Sequence, residues 1–122
     1  MSAKFTVSAD LGRWISGTRR FEQDMHDEVR RQFAAANDVF YDKTQQYVHV
    51  ETGNLKSSGK REYEEERGEV TALLVYDTDY AIYEENRGGS HAYMSRGWQA
   101  AESTFERAMP EAFERVVGKW RS

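Results

Sequence analysis

The sequence predicts an α+β fold in which a long N-terminal helix and a C-terminal helix pack on a small antiparallel β-sheet. Apolar residues recur every three or four positions over about residues 19–48 and again over 98–120, which indicates two amphipathic helices. Two extended runs, 60–66 and 70–77, are separated by Arg67-Gly68-Glu69 and indicate a hairpin. A chain of 122 residues is long enough for one such domain with one core.

The start of the chain is expected to lie outside this domain. We divide the sequence into an N-terminal arm with a short helical turn over residues 1–18 and a single α+β domain over residues 19–122. Apolar and polar residues alternate up to Ala9, which is compatible with a short strand or with a free arm. Residues 10–18 hold apolar residues at helical spacing and favour a short helical turn anchored by Trp14.

The first helix has the strongest pattern in the sequence. Its apolar stripe consists of Phe21, Met25, Val29, Phe33, Ala36, Phe40, Thr44 and Tyr47, and charged residues occupy its other sides. A helix over residues 19–48 would be on the order of 40 Å long, which is more than a small domain needs for its own core. We therefore expect part of the stripe to contact a neighbouring molecule.

Shorter elements follow the first helix. Residues 50–59 are rich in Gly, Asn and Ser and predict a loop that ends it. The run 70–77 is apolar on both faces and predicts a central strand, whereas the glutamate-rich run 60–66 predicts a charged edge strand. The type of element over residues 80–85 stays open, and residues 87–90 predict a flexible loop.

The C-terminal helical pattern contains a proline. Because Pro110 removes one helical hydrogen bond, we expect either a kink near Met109 or a new helix with Pro110 in its first turn. The predicted core contains Phe33, Phe40, Leu74, Trp98 and Phe105.

Composition limits the classes of function. The chain has 21 Asp and Glu against 17 Lys and Arg, a net charge of −4, which is the wrong sign for a protein that neutralises phosphates. It has no cysteine, no signal peptide pattern and no apolar run long enough for a membrane span. We expect a soluble protein without membrane contact, made in a reducing cytoplasm.

The sequence offers little catalytic chemistry, and we interpret the protein as a non-enzyme without catalytic residues, metal or cofactor. The three histidines lie in separate segments and form no metal-binding pattern: His26, His49 and His91. Two carboxylate pairs are explained more simply as a turn cap and a solvated surface than as acid–base groups: Asp77 with Asp79, and Glu84 with Glu85. The order of residues required for a phosphate-binding loop is absent.

Two short motifs give the chain a family resemblance. Residues 50–58 read Val-Glu-Thr-Gly-Asn-Leu-Lys-Ser-Ser, and Tyr80-Ala-Ile-Tyr-Glu84 with Arg87-Gly-Gly89 follows about 20 residues later. Together with the flanking helices, they resemble a family of small tailed-phage (siphophage) proteins with a "TG-x-L-x-x-S" loop, a hairpin and a "YA-x-x-x-E" segment. The resemblance covers roughly residues 19–118. Family members commonly carry a proline before the TG motif, where this chain has Val50-Glu51.

The resemblance implies a structural virion protein. Members of the family are known as tail-component, tail-completion or neck proteins, so it implies a head–tail connector or minor tail protein at the neck or the top of the tail. The expected partners are further copies of the chain in a homo-oligomeric ring, together with the adjacent neck, connector and tail proteins. DNA would pass through the lumen without specific binding, because an acidic wall repels phosphates.

The segments around the motifs are the expected assembly contacts. We expect contacts from Thr52, Gly53, Asn54, Leu55, Lys56, Ser57, Tyr83, Glu84, Arg87, Gly88 and Tyr93. The simpler explanation is that the glycines only let the chain turn and that the tyrosines close the sheet onto the helices. For Tyr80 we favour this closing role, and for Tyr83 and Tyr93 both explanations stay open.

Two other functions stay open at this stage. The first is a tail terminator, a related role in the same particle. The second is a small cytoplasmic regulator or nucleic-acid-binding α+β domain, whose contacts would be Arg13, Arg19, Arg20, Lys56, Lys60 and Arg61.

Overall fold

The chain folds as an α+β protein, in which helices pack on a three-stranded antiparallel sheet, and the predicted fold class is confirmed. The structure, a computed structural model, describes residues 2–10, 19–48, 54–66, 69–78 and 81–121. The elements in chain order are β1 (Ser2–Asp10), α1 (Arg19–Tyr47), α2 (Asn54–Ser57), β2 (Gly59–Glu66), β3 (Glu69–Asp77), α3 (Ala81–Asn86), a 3₁₀ turn (Gly89–His91), α4 (Tyr93–Glu106) and α5 (Ala108–Arg121). No helix among these described residues is long and apolar enough to cross a membrane.

The sheet has β3 at its centre, with β1 and β2 paired antiparallel on either side. Residues 70–74 of β3 are buried, whereas every β2 residue after Gly59 is exposed. Paired strands on both edges satisfy the backbone hydrogen bonds of β3, as expected for the central strand of the sheet. The predicted hairpin, central strand and charged edge strand are therefore confirmed.

Of the two alternatives for the start of the chain, a short strand or a free arm, the structure shows a strand. β1 pairs with β3 along its whole length, from Ser2 opposite Asp77 to Asp10 opposite Glu69. The expected domain boundary at residue 19 is wrong for these residues, because they belong to the same sheet as the rest of the domain. The predicted helical turn falls mainly on residues 11–18, outside the described residues.

α1 lies against the sheet and against both C-terminal helices. Its apolar stripe is buried from Met25 to Thr44, and Phe21 and Tyr47 at the two ends pack against the same core. The first half of α1 contacts α5 and the second half contacts α4, as the pairs Phe21–Phe113 and Thr44–Gly97 illustrate. The expectation that part of the stripe contacts a neighbouring molecule is therefore wrong, because the subunit itself covers it.

The predicted core residues meet in one aromatic cluster. The ring of Phe40 lies 5.1 Å from that of Phe5 and 5.7 Å from that of Trp98, and the ring of Phe33 lies 5.5 Å from that of Phe105. Trp98 is half-buried and packs against the cluster, and the other predicted core residues are buried.

The C-terminal pattern forms two helices. α4 ends at Glu106 and α5 begins at Ala108. Pro110 is the third residue of α5, where a backbone N–H would have no helical partner in any case. The alternative of a new helix with Pro110 in its first turn is therefore confirmed.

Three short helical segments occupy stretches that the sequence left as loops or undecided. α2 lies within the predicted loop 50–59, and the 3₁₀ turn begins within the predicted loop 87–90. The element over residues 80–85, whose type the sequence left open, is helical from Ala81 onward and forms α3. These segments span six residues or fewer, which is too short for the periodicity that identifies a helix in a sequence.

Candidate assembly site

The two segments that carry the family resemblance lie together at one end of the sheet. We call this end the motif end; it consists of α2, the first two residues of β2, the last two residues of β3, α3, the turn over residues 87–91 and the first turn of α4. The backbone N–H of Asp77 donates to Ser58 Oγ at 3.1 Å, which joins the first segment to β3 just before the second segment begins. Thr52, Gly53 and Tyr80 lie outside the described residues.

A buried tyrosine connects α1, α2 and β3 at the motif end. The hydroxyl of Tyr76 accepts a hydrogen bond from Gln45 Nε2 at 2.8 Å and bonds to Thr44 Oγ1 at 2.7 Å. The Gln45 amide also donates to the backbone carbonyl of Lys56 at 2.9 Å. Gly59 has no room for a side chain, because a Cβ there would lie 2.9 Å from Tyr76 Cε1. The described part of the first motif, residues 54–58, is thus fixed by contacts within the subunit.

Two of the predicted contact residues, Leu55 and Tyr93, are core residues instead. Both are buried, and the Tyr93 hydroxyl donates to the Ala81 carbonyl at 2.9 Å while its ring lies 5.0 Å from that of Tyr76. Burial raises the pKa of Tyr93. Tyr93 therefore closes the sheet onto the helices, and neither residue offers a surface to a partner.

Glu84 and Glu85 hold α3 in place by internal contacts. Glu84 accepts hydrogen bonds from His91 Nδ1 at 2.5 Å and from Arg87 at 3.3 Å. Burial raises the pKa of Glu84, but the bond and charge of His91 and the contact with Arg87 outweigh it, so the pKa is lowered overall. Glu85 accepts hydrogen bonds from the backbone N–H of Met94 at 2.7 Å and thereby caps the start of α4. The predicted contact residue Glu84 is thus engaged inside the subunit.

Gly88 and Gly89 make the turn that brings His91 back to α3. Their φ angles are 72° and 54°, a region that glycine enters at no steric cost. A Cβ on either glycine would meet nothing within 4 Å, so packing does not require glycine here. The backbone conformation does, because both φ angles are positive. The positive φ angle therefore explains why residue 88 is glycine, without a contact to a partner.

Among the described residues of the motif end, the exposed surface contains one large aromatic side chain, that of Tyr83. Of the predicted contact residues, Asn54, Ser57, Tyr83 and Arg87 are exposed and Lys56 is half-buried. The exposed fraction of Tyr83 is 67%. Tyr83 lies on the outer side of α3, and the buried Ala81 anchors the other side of this helix in the core. These residues are the part of the predicted site that a partner could contact.

Away from the motif end, a buried carboxylate, Glu28, is paired with groups on α1 and α5. Glu28 on α1 is buried and accepts hydrogen bonds from Arg31 at 2.7 Å and Gln32 at 3.2 Å, and Arg115 of α5 lies 3.7 Å away. These groups border a polar hollow of about 200 Å³ between α1 and α5. Glu28 therefore joins the two helices, a role that the sequence pattern did not predict because Glu28 stands beside exposed charged residues.

The histidines and carboxylates that could carry chemistry have structural partners. His26 and Arg30 both contact Glu65 of β2, at 3.1 Å and 3.0 Å, and fix α1 to the edge strand. In the described part of the chain, no three His, Asp or Glu side chains are arranged to hold a metal ion. His49 and Asp79 lie outside the described residues.

The basic residues of the nucleic-acid alternative do not form one patch. Arg19 and Arg20 lie at the start of α1, whereas Lys56 contacts Gln45 near its end, about 40 Å away along a helix of this length. Arg61 pairs with Asp38 at 2.7 Å and its guanidinium covers the ring of Tyr41. Arg13 lies outside the described residues.

Comparisons with known proteins found no match: no family model matches the chain, and neither does a curated protein or a solved structure.

Proposed function

We propose that the protein is a structural component of a tailed-phage virion, located at the neck or head–tail junction. It acts there as a tail-completion or connector protein in a homo-oligomeric ring between the head and the tail tube. The observation that carries the proposal is the convergence of the two family-like segments at one end of the sheet, where they leave Tyr83 and Arg87 exposed.

The arrangement of the motif end suits a docking element. Residues that hold a binding surface rigid lower the entropy lost on association. Here Glu84, Glu85 and the buried Tyr76–Tyr93 pair provide that rigidity, and α3 presents its outer side to solvent. Exposed tyrosine and arginine are the residue types that most often supply binding energy in protein interfaces.

The charge of the chain agrees with a position around DNA. A net charge of −4 per copy is multiplied in a ring, and an acidic lumen repels the phosphate backbone so that DNA slides without binding.

Removing the gene tests the proposal. Phages that lack this protein should produce filled heads and complete tails that do not join, and supplying the protein from a plasmid should restore joined particles. Normal infectious particles without the protein would contradict the proposal. Tails of uncontrolled length would instead assign the protein as a tail terminator.

A further inference from the structure

We draw no further inference here: the strongest candidate, the outer edge of β1 with the half-buried side chains of Phe5 and Val7, pairs with no further strand in the described part of the chain, and nothing in the structure shows what covers it.

Discussion

At Gly97, helix α4 has no room for a side chain. A Cβ there would lie 2.4 Å from Thr44 Cγ2 and 3.1 Å from the Thr44 backbone N. The second of these atoms belongs to the backbone of α1 and cannot rotate away. Gly97 therefore sets how closely the two helices approach each other.

We expect Gly97→Ala to lower the free energy of unfolding by about 1–3 kcal/mol, because the helices must move apart to admit the methyl group. The matched control is Gly118→Ala in α5, where a Cβ would meet nothing within 4 Å. That variant should gain up to about 1 kcal/mol from the better helix propensity of alanine. Urea denaturation measures both, and equal effects would show that the α1–α4 contact is looser than described.

Glu28 makes stability depend on pH. Burial raises its pKa, but hydrogen bonds from Gln32 and Arg31 and the charges of Arg31 and Arg115 outweigh burial, so the pKa lies below its ordinary value of 4.5. A carboxylate whose pKa is lowered by folding stabilises the protein above its unfolded pKa. That contribution is lost as the pH falls through the lower pKa of the folded state.

We therefore expect Glu28→Gln to destabilise the protein at pH near 7 by about 1.5–3 kcal/mol, the range for hydrogen bonds to charged groups. As the pH falls below about 4.5 the difference from the wild type should shrink, because the unfolded chain takes up the proton first and the folded carboxylate follows at its lower pKa. Thermal unfolding across this range measures it, with the exposed Glu102→Gln as the control. Parallel curves for wild type and Glu28→Gln would contradict the assignment.

Among the secondary-structure elements, aromatic contacts join α1 to α4, and Phe5 of β1 connects both helices to the sheet. Phe33 is buried against Phe105, and Phe40 lies against Trp98. The same periodicity that predicts α1 also predicts which of its residues are buried.

Phe33→Ala should lower the free energy of unfolding by about 3–5 kcal/mol, because it leaves a cavity in the core. Phe113→Ala on α5 is the matched control, since the exposed fraction of Phe113 is already 41% and its loss should cost much less. Chemical denaturation compares the two. A melting temperature unchanged by Phe33→Ala would show that the register assigned to α1 is wrong.

The sequence predicts long elements well and contacts between elements poorly. α1 and the hairpin follow from local periodicity, whereas α2 and α3 are too short to have one. The burial of Tyr93 depends on Tyr76 and Ala81, which are distant in sequence, so the motif alone left its role open. The cap that Glu85 makes on α4 likewise requires the turn at Gly88 and Gly89.

At the level of the whole molecule, the residues of the motif end fall into an internal and an external group. Tyr93 and Leu55 stabilise the subunit, whereas Lys56, Tyr83 and Arg87 reach its surface. Substitutions of the second group should affect assembly and leave folding nearly unchanged, because exposed charges contribute little to stability and the pair of the exposed Arg87 with Glu84 contributes at most about 1 kcal/mol.

Accordingly, Lys56→Glu or Arg87→Glu should fold with a melting temperature close to that of the wild type but yield tailless heads or unattached tails. Complementary charges across an interface determine partner choice, and these variants reverse them. Arg107→Glu, at the exposed junction of α4 and α5, serves as the control and should give infectious particles. Fully infectious particles from both motif-end variants would remove this surface from the assembly contacts.

Imaging of the intact particle shows whether the protein lies at the neck. Cryo-electron microscopy of purified virions, with the chain identified by a small fused tag, measures where it lies and how many copies are present. We expect a ring of copies around the DNA channel between the head and the tail tube. A location on the capsid shell, a single copy per particle, or absence from the virion would contradict the account.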